Sequence, residues 1–177
     1  MSTMIDGNGG GTIALDNDDN FVRGEGGDDV ILGAGGDDTL KGGNGDDSIK
    51  GSNEADTVTG GKGDDTLNGG QGDDDVVGGE GNDKLSGSAG DDMIFGGGGN
   101  NRMAGGDGAD TFVFDADSTG KDKILDFEVG VDDIRLNGVT VTEVVERSDG
   151  SAFAQLDTGG MIIFKGLTFD EVNDLFF

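Results

Sequence analysis

The sequence repeats every nine residues, and this period constrains the fold more than any other feature. Three consecutive blocks read GGKGDDTLN, GGQGDDDVV and GGEGNDKLS, spanning 60–86. With Gly60 as step 1, the frame runs unbroken from Asp6 to Val113, twelve cycles in all. Step 1 is glycine in ten successive cycles, from Gly24 to Gly105. Step 6 carries Asp29, Asp38, Asp47, Asp56, Asp65, Asp74, Asp83, Asp92 and Asp110, with Asn20 and Asn101 at two further cycles. Step 8 is apolar throughout: Ile13, Val22, Ile31, Leu40, Ile49, Val58, Leu67, Val76, Leu85, Ile94, Met103 and Phe112. Low hydropathy with high net charge is otherwise a signature of disorder. A phase held for twelve cycles points instead to a repeat architecture.

Each cycle divides physically. Steps 1–6 are rich in glycine and acid, which suits a turn whose backbone visits positive φ. Steps 7–9 suit a short strand, with step 8 facing in and steps 7 and 9 facing out. One inward residue per nine is too sparse for a helix or an ordinary sandwich. It fits a narrow coil in which two cycles make one turn and two parallel sheets face each other. Cycles n and n+2 then stack, 18 residues apart.

GGNGDDSIK, GGKGDDTLN and GGQGDDDVV resemble the calcium-binding nonapeptide repeat of the RTX (haemolysin-type) family, G-G-x-G-x-D-x-U-x. The resemblance implies an all-β fold, a parallel β-roll, with Ca²⁺ held in the turns by step-6 carboxylates and main-chain carbonyls. Glycine then bends the turn, Asp binds metal and the apolar residue fills the core. Stacked pairs would be Asp29/Asp47, Asp47/Asp65 and Asp65/Asp83 on one edge. On the other they would be Asp38/Asp56, Asp56/Asp74, Asp74/Asp92 and Asp92/Asp110. This gives about seven Ca²⁺, with a range of about five to nine, because each ion takes six to eight oxygens. Asn20/Asp38 and Asp83/Asn101 would add weaker sites. GSNEADTVT (51–59) lacks glycine at steps 2 and 4, which puts the sites around Asp56 in doubt. The step-5 acids, such as Asp28, Asp46 and Asp64, read as solvated turn side chains rather than as outer-shell charge.

Composition narrows the chemistry. The 177 residues include 39 glycines and no Pro, Cys, His, Trp or Tyr. Disulfides, thiolates, imidazole bases and His-ligated zinc are therefore absent. A formal charge of −27, from 38 acidic and 11 basic residues, opposes nucleic acid and anionic membranes, which select basic surfaces. It also opposes compaction until something neutralises it. A chain folded with calcium and unfolded without it is the expectation. The longest apolar run near the end, MIIF (161–164), is too short to span a membrane. The start MSTMIDGNGG lacks the basic and apolar regions of an ordinary signal peptide.

Three regions are expected: degenerate capping turns at 1–23, the roll at 24–113, and a C-terminal cap at 114–177. The stretch 110–136 resembles the segment after the roll in RTX proteases and in alginate epimerase modules. The stretch 159–177 resembles the ends of type I secreted calcium-binding proteins. KILDF, DIRL, VTVTEVV, SAFAQLD and MIIF read as antiparallel strands, with turns at SDG (148–150) and DTGG (157–160). Thr168 and Glu171 form a T-x-x-E capping box that predicts a short terminal helix. The outward residues Val77, Met93, Phe95 and Val113 make an apolar patch that the cap is expected to cover. DADSTGKDKILD (115–126) partly fits an EF-hand loop through Asp115, Asp117, Thr119, Gly120 and Asp126. Its closing Asp is short for bidentate binding and no helices flank it, which disfavours calcium there.

No residue constellation points to catalysis. The favoured reading is a secreted calcium-binding protein or module, exported unfolded by type I machinery that reads an uncleaved C-terminus. The ending Leu175-Phe176-Phe177 after Asp174 fits such a signal. The alternative is a non-catalytic folding or targeting module of a larger secreted epimerase, protease or lipase, with an extracellular polysaccharide such as alginate as partner. An ice-binding solenoid is disfavoured. Step 7 carries Thr12, Thr39, Thr57, Thr66 and Thr111, but only Thr57 has a threonine at step 9.

Overall fold

A computed structural model describes the backbone of residues 2–5 and all of residues 9–148 and 151–177. The first strands are β1 (Ser2–Ile5), β2 (Thr12–Ala14), β3 (Asn20–Gly26) and β4 (Val30–Leu32). Eight strands of six residues follow. They are β5 (Thr39–Asn44), β6 (Ser48–Asn53), β7 (Thr57–Lys62), β8 (Thr66–Gln71), β9 (Asp75–Glu80), β10 (Lys84–Ala89), β11 (Met93–Gly98) and β12 (Arg102–Asp107). The chain continues through β13 (Thr111–Phe114), β14 (Lys121–Ile124), β15 (Asp133–Leu136), β16 (Val141–Glu146), β17 (Ala152–Leu156) and β18 (Met161–Phe164). Helix α1 (Phe169–Asp174) follows β18.

Odd-numbered strands β1 to β15 form one sheet in sequence order. Even-numbered strands β2 to β14 form the other, which β18, β17 and β16 extend. Neighbours pair in parallel with an 18-residue offset, as in Thr57↔Asp75 and Lys84↔Thr66. The fold is therefore the two-sheet parallel roll that the period implies. All twelve step-8 side chains are buried between the sheets. Each contributes about 2 kcal/mol of apolar burial.

The strands run longer than steps 7–9. Pairing covers steps 7–9, skips step 1, and resumes at steps 2 and 3, as Thr57, Val58, Thr59, Gly61 and Lys62 show. Step 1 admits no side chain. A Cβ on Gly60 would collide with the Asp65 carboxylate, and one on Gly24 would collide with Asp29 and approach the Gly42 carbonyl oxygen at 2.6 Å. Steps 2 and 4 need positive φ, and Gly61 and Gly63 supply it at 126° and 121°. The irregular block 51–59 keeps this geometry with Ser52 at 102° and Glu54 at 65°.

The C-terminal third departs from expectation in two ways. β14, which carries KDKI, and β15, which carries DIRL, are parallel strands that prolong the roll, pairing with β12 and β13. Their apolar residues Ile124 and Ile134 follow an Asp by two positions, as in the repeat, so they stack as further rungs. Among the described residues only the β16–β17 and β17–β18 pairings are antiparallel, and β18 joins the roll by pairing in parallel with β14. The DTGG turn joins β17 to β18, with the Gly159 N–H donating to Leu156 O at 3.0 Å. The turn at SDG lies partly outside the described residues.

Nor does the cap cover the apolar patch. Val77, Met93, Phe95 and Val113 line a shallow open hollow with Thr57, Asp75, Asp115 and Asn137. The cap instead closes the end of the core. Phe127 packs between Phe112 (6.0 Å between ring centroids) and Phe164 (5.4 Å), and Phe164 meets Phe176 (6.3 Å). Phe112, Phe127 and Phe164 are buried and Phe176 partly so, so these rings join the core that the step-8 column begins. Thr168 and Glu171 make the reciprocal capping box, and Val172 of α1 is fully buried.

Candidate metal centre

All eleven step-6 residues singled out from the sequence are buried, none more than 3% exposed. They form two ladders, one on each edge of the roll. The N–H of Asp29 donates to Oδ1 of Asp47, Asp47 to Asp65, and Asp65 to Asp83, at 2.8–2.9 Å. Asp83 donates to Oδ1 of Asn101 at 2.9 Å. On the other edge Asn20 donates to Asp38, Asp38 to Asp56, Asp56 to Asp74, Asp74 to Asp92, and Asp92 to Asp110, at 2.7–3.0 Å. Asp56 keeps both bonds, so the irregular block does not break its ladder.

Both ladders continue past the regular repeat. Asn101 donates to Oδ1 of Asp122 across 21 residues, and Asp110 to Oδ1 of Asp132 across 22. Neither acid was anticipated, because longer turns push them out of the nine-residue frame. Their signal was the local trio Asp-x-apolar, DKI and DDI, which repeats steps 6–8. A second, exposed ladder runs the opposite way. Asp28 Oδ1 accepts from the N–H of Asp46, Asp46 from Asp64, and Asp64 from Asn82, at 2.7–2.9 Å. The step-5 acids thus brace successive turns rather than simply facing solvent. The EF-hand-like stretch forms a turn and then β14. Asp115 accepts from its own loop at Asp117, and Asp126 from Gly105.

The inner ladder leaves one oxygen per carboxylate unspent. Oδ2 of all nine step-6 aspartates is buried and has no hydrogen-bond partner among the described residues. Each lies over the step-1 glycine of its own turn. Over Gly24, Gly33, Gly51 and Gly78 the carbonyl oxygen of the glycine one rung on approaches the same point. Two facing acceptors need a donor or a cation between them. Burial, reinforced by like-charged neighbours, pushes Asp56, Asp65 and Asp92 up to about 7. Burial and adjacent acids push Asp74 and Asp83 up to about 6. Asp38, Asp47 and Asp110 are raised in the same direction, burial first. Among the described residues no three acidic side chains form a metal cage by themselves, so carbonyls or water would complete any coordination shell. Mixed carboxylate and carbonyl donors suit a hard divalent ion such as calcium.

Comparison with known families decides the classification. The RTX calcium-binding nonapeptide repeat (4 copies) matches residues 5–40, 15–49, 41–76, 50–85 and 77–112. This chain belongs to the RTX calcium-binding repeat family. Its roll is a structural calcium-binding module, and secretion by a type I route is typical of the family. The AlgE6R3 subunit of the Azotobacter vinelandii mannuronan C5-epimerase is a similar solved structure, with 23% identity and a TM-score of 0.42 over 68% of this chain and 77% of that one. The extracellular lipase LipA of Serratia marcescens is another, with 16% identity and a TM-score of 0.41 over 92% of this RTX chain and 40% of the lipase. No curated protein matches.

Proposed function

We propose that this chain is a secreted module whose roll folds when Ca²⁺ enters the inner carboxylate ladders. The observation that carries this is the row of nine buried, unpartnered Oδ2 atoms, each over a step-1 glycine. Asp29, Asp38, Asp47, Asp56, Asp65, Asp74, Asp83, Asp92 and Asp110 would hold the ions, with Asn20 and Asn101 as weaker amide ligands. Bound calcium would supply positive charge to oxygens that no other described residue satisfies. About seven ions would cancel about 14 of the 27 negative charges. The residues do the rest. Oδ1 fixes the spacing of successive rungs, step-1 glycine makes room for Oδ2, and the step-8 column excludes water.

This design suits export of an unfolded chain from a low-calcium compartment. The compacting charge is then available only outside. The terminal stretch 159–177 would address the type I machinery. Regions 1–23, 24–113 and 114–177 act as capping turns, metal-binding roll and cap, with β14 and β15 completing the roll's last rungs. No catalytic role is assigned. Counting bound calcium by chelator competition tests this reading: about seven ions with Mg²⁺ excluded supports it, and fewer than three refutes it.

A second reading, a non-catalytic module of a larger secreted enzyme that holds an extracellular polysaccharide, has one favourable observation. Lys84, Arg102 and Lys123 align on adjacent strands of the even-numbered sheet. Retention on an immobilised anionic polysaccharide, lost when the three are changed to Glu, would select it.

A further inference from the structure

We propose that the outer face of the odd-numbered sheet is a docking groove, centred on Phe95, for a segment of a second protein in which an Arg or Lys stands beside a bulky apolar side chain. The floor of the groove is a cross-strand row. Val77, Phe95 and Val113 sit side by side on β9, β11 and β13, with Thr59 beyond one end and Arg135 beyond the other. Met93 on β11 adds a side chain that is 36% exposed. Earlier rungs of the same sheet carry Thr39, Lys41, Thr57 and Thr59 at the corresponding outward steps. An outward apolar cluster that neither core nor cap uses marks a contact surface.

Two adjoining hollows of about 270 and 620 Å³ share Phe95. The turn between β13 and β14 walls both, with Asp115 on the first and Asp117 and Thr119 on the second. This turn is held in place. Thr119 bridges to Gly98 of β11. Ser118 Oγ accepts from the Asp115 N–H at 2.9 Å, and Ser118 O accepts from Thr158 Oγ1 at 3.2 Å. The stretch that resembles an EF-hand loop therefore serves as a wall. The groove stands ready before a partner arrives, which lowers the ordering cost of binding.

Charge and ring chemistry identify the occupant. Asp75, Asp115 and Asp117 line the hollows and make no ion pair among the described residues. The two cations at the groove are already engaged, Lys62 by Glu80 at 3.1 Å and Arg135 Nη1 by Met93 Sδ at 3.4 Å. The chain covers its other partly exposed strand-borne rings itself. The Arg23 guanidinium lies 5.1 Å from the centre of the Phe21 ring, and that of Arg147 lies 5.3 Å from the Phe153 ring. Phe95 has no cation or ring over it among the described residues. A cation brought by a partner meets the ring face and the carboxylates together. The neighbouring apolar side chain then fills the floor as an anchor. A second copy of this chain fits poorly, because each copy carries a formal charge of −27.

The test is fluorescence anisotropy of labelled octapeptides with the full chain in saturating calcium. The probe alternates Arg and Leu; its controls alternate Arg with Ser and Glu with Leu. The Arg/Leu peptide is expected to bind at least about tenfold more tightly than either control, because both the anchor and the charge are needed. F95T places on β11 the residue that Thr59 presents two rungs earlier, and it should weaken the Arg/Leu peptide at least about tenfold. D75N should weaken it about threefold at low salt, and it carries the test should F95T not fold in calcium. E25Q, on the same sheet away from the groove, should match wild type. Equal binding of the Arg/Leu and Arg/Ser peptides overturns the proposal, as does wild-type affinity in both F95T and D75N, or lost affinity in E25Q. Self-association of wild type in sedimentation, abolished by F95T, assigns the groove to a second copy and overturns it too.

Discussion

Replacing Asp65 by Asn should change stability in opposite directions with and without calcium. Asp65 is 1% exposed, and burial with the charges of Asp83 and Asp47 pushes it up to about 7. At pH 8 its ionised form costs the chelated fold up to about 4 kcal/mol relative to the unfolded chain. Asn keeps the acceptor for the Asp47 N–H, now 2.8 Å from Oδ1. It places an unpaired amide where Oδ2 stood, at a cost of about 1–2 kcal/mol. Asn101 already occupies the same step with an unpartnered Nδ2. The net gain in chelator is about 2 kcal/mol. With calcium the sites toward Asp47 and Asp83 are both impaired. Each contributes about 1.4 kcal/mol at tenfold excess over Kd and about 2.7 at a hundredfold. D65N should then be roughly 1–3 kcal/mol less stable than wild type in saturating calcium. The assay is far-UV circular dichroism: osmolyte-induced refolding in chelator, and urea unfolding in calcium. A shift of the same sign in both media would refute the metal role of Asp65.

Acid should substitute in part for calcium. The inner-ladder acids Asp56, Asp65, Asp74, Asp83 and Asp92 have folded-state values of about 6–7, raised above the unfolded range near 4. Raised values mean that the fold binds protons more tightly than the coil. The chelated fold is thus favoured fully below about pH 4 and loses that support as pH rises through 6–7; β-structure in chelator should be greater at pH 5 than at pH 8, and calcium affinity should fall over the same window. Ser52→Gly relieves a left-handed φ of 102° and should raise stability in calcium by about 0.5–1 kcal/mol, read from urea midpoints. Phe127→Ala removes the ring joining Phe112 to Phe164 and should cost about 3–5 kcal/mol, with cap amides losing hydrogen-exchange protection before the roll.

The period made the core and the inner carboxylate ladder legible, because identical turns force identical environments. Step 8 sets the core column and step 6 the ladder, and both are local patterns. Strand length was not legible, since glycines at steps 2 and 3 look like turn residues yet pair as strands. The C-terminal rungs at Asp122 and Asp132 escaped because turns of 21 and 22 residues break the count while the Asp-x-apolar trio persists. The bracing by step-5 acids depends on which N–H lies one rung away, a fact of stacking rather than of sequence. The cap's position was misjudged for a related reason. Phe127 and Phe164 meet the step-8 column only once β14 is seen to continue the roll.

The most direct test of the central claim is a Ca²⁺ titration of the chelated chain at pH 7.5, followed by far-UV circular dichroism, with Mg²⁺ alongside. The buried ladder predicts a cooperative coil-to-β transition with Ca²⁺ and none with Mg²⁺ at equal concentration. A chain already β-rich in chelator, and unchanged by Ca²⁺, would contradict it.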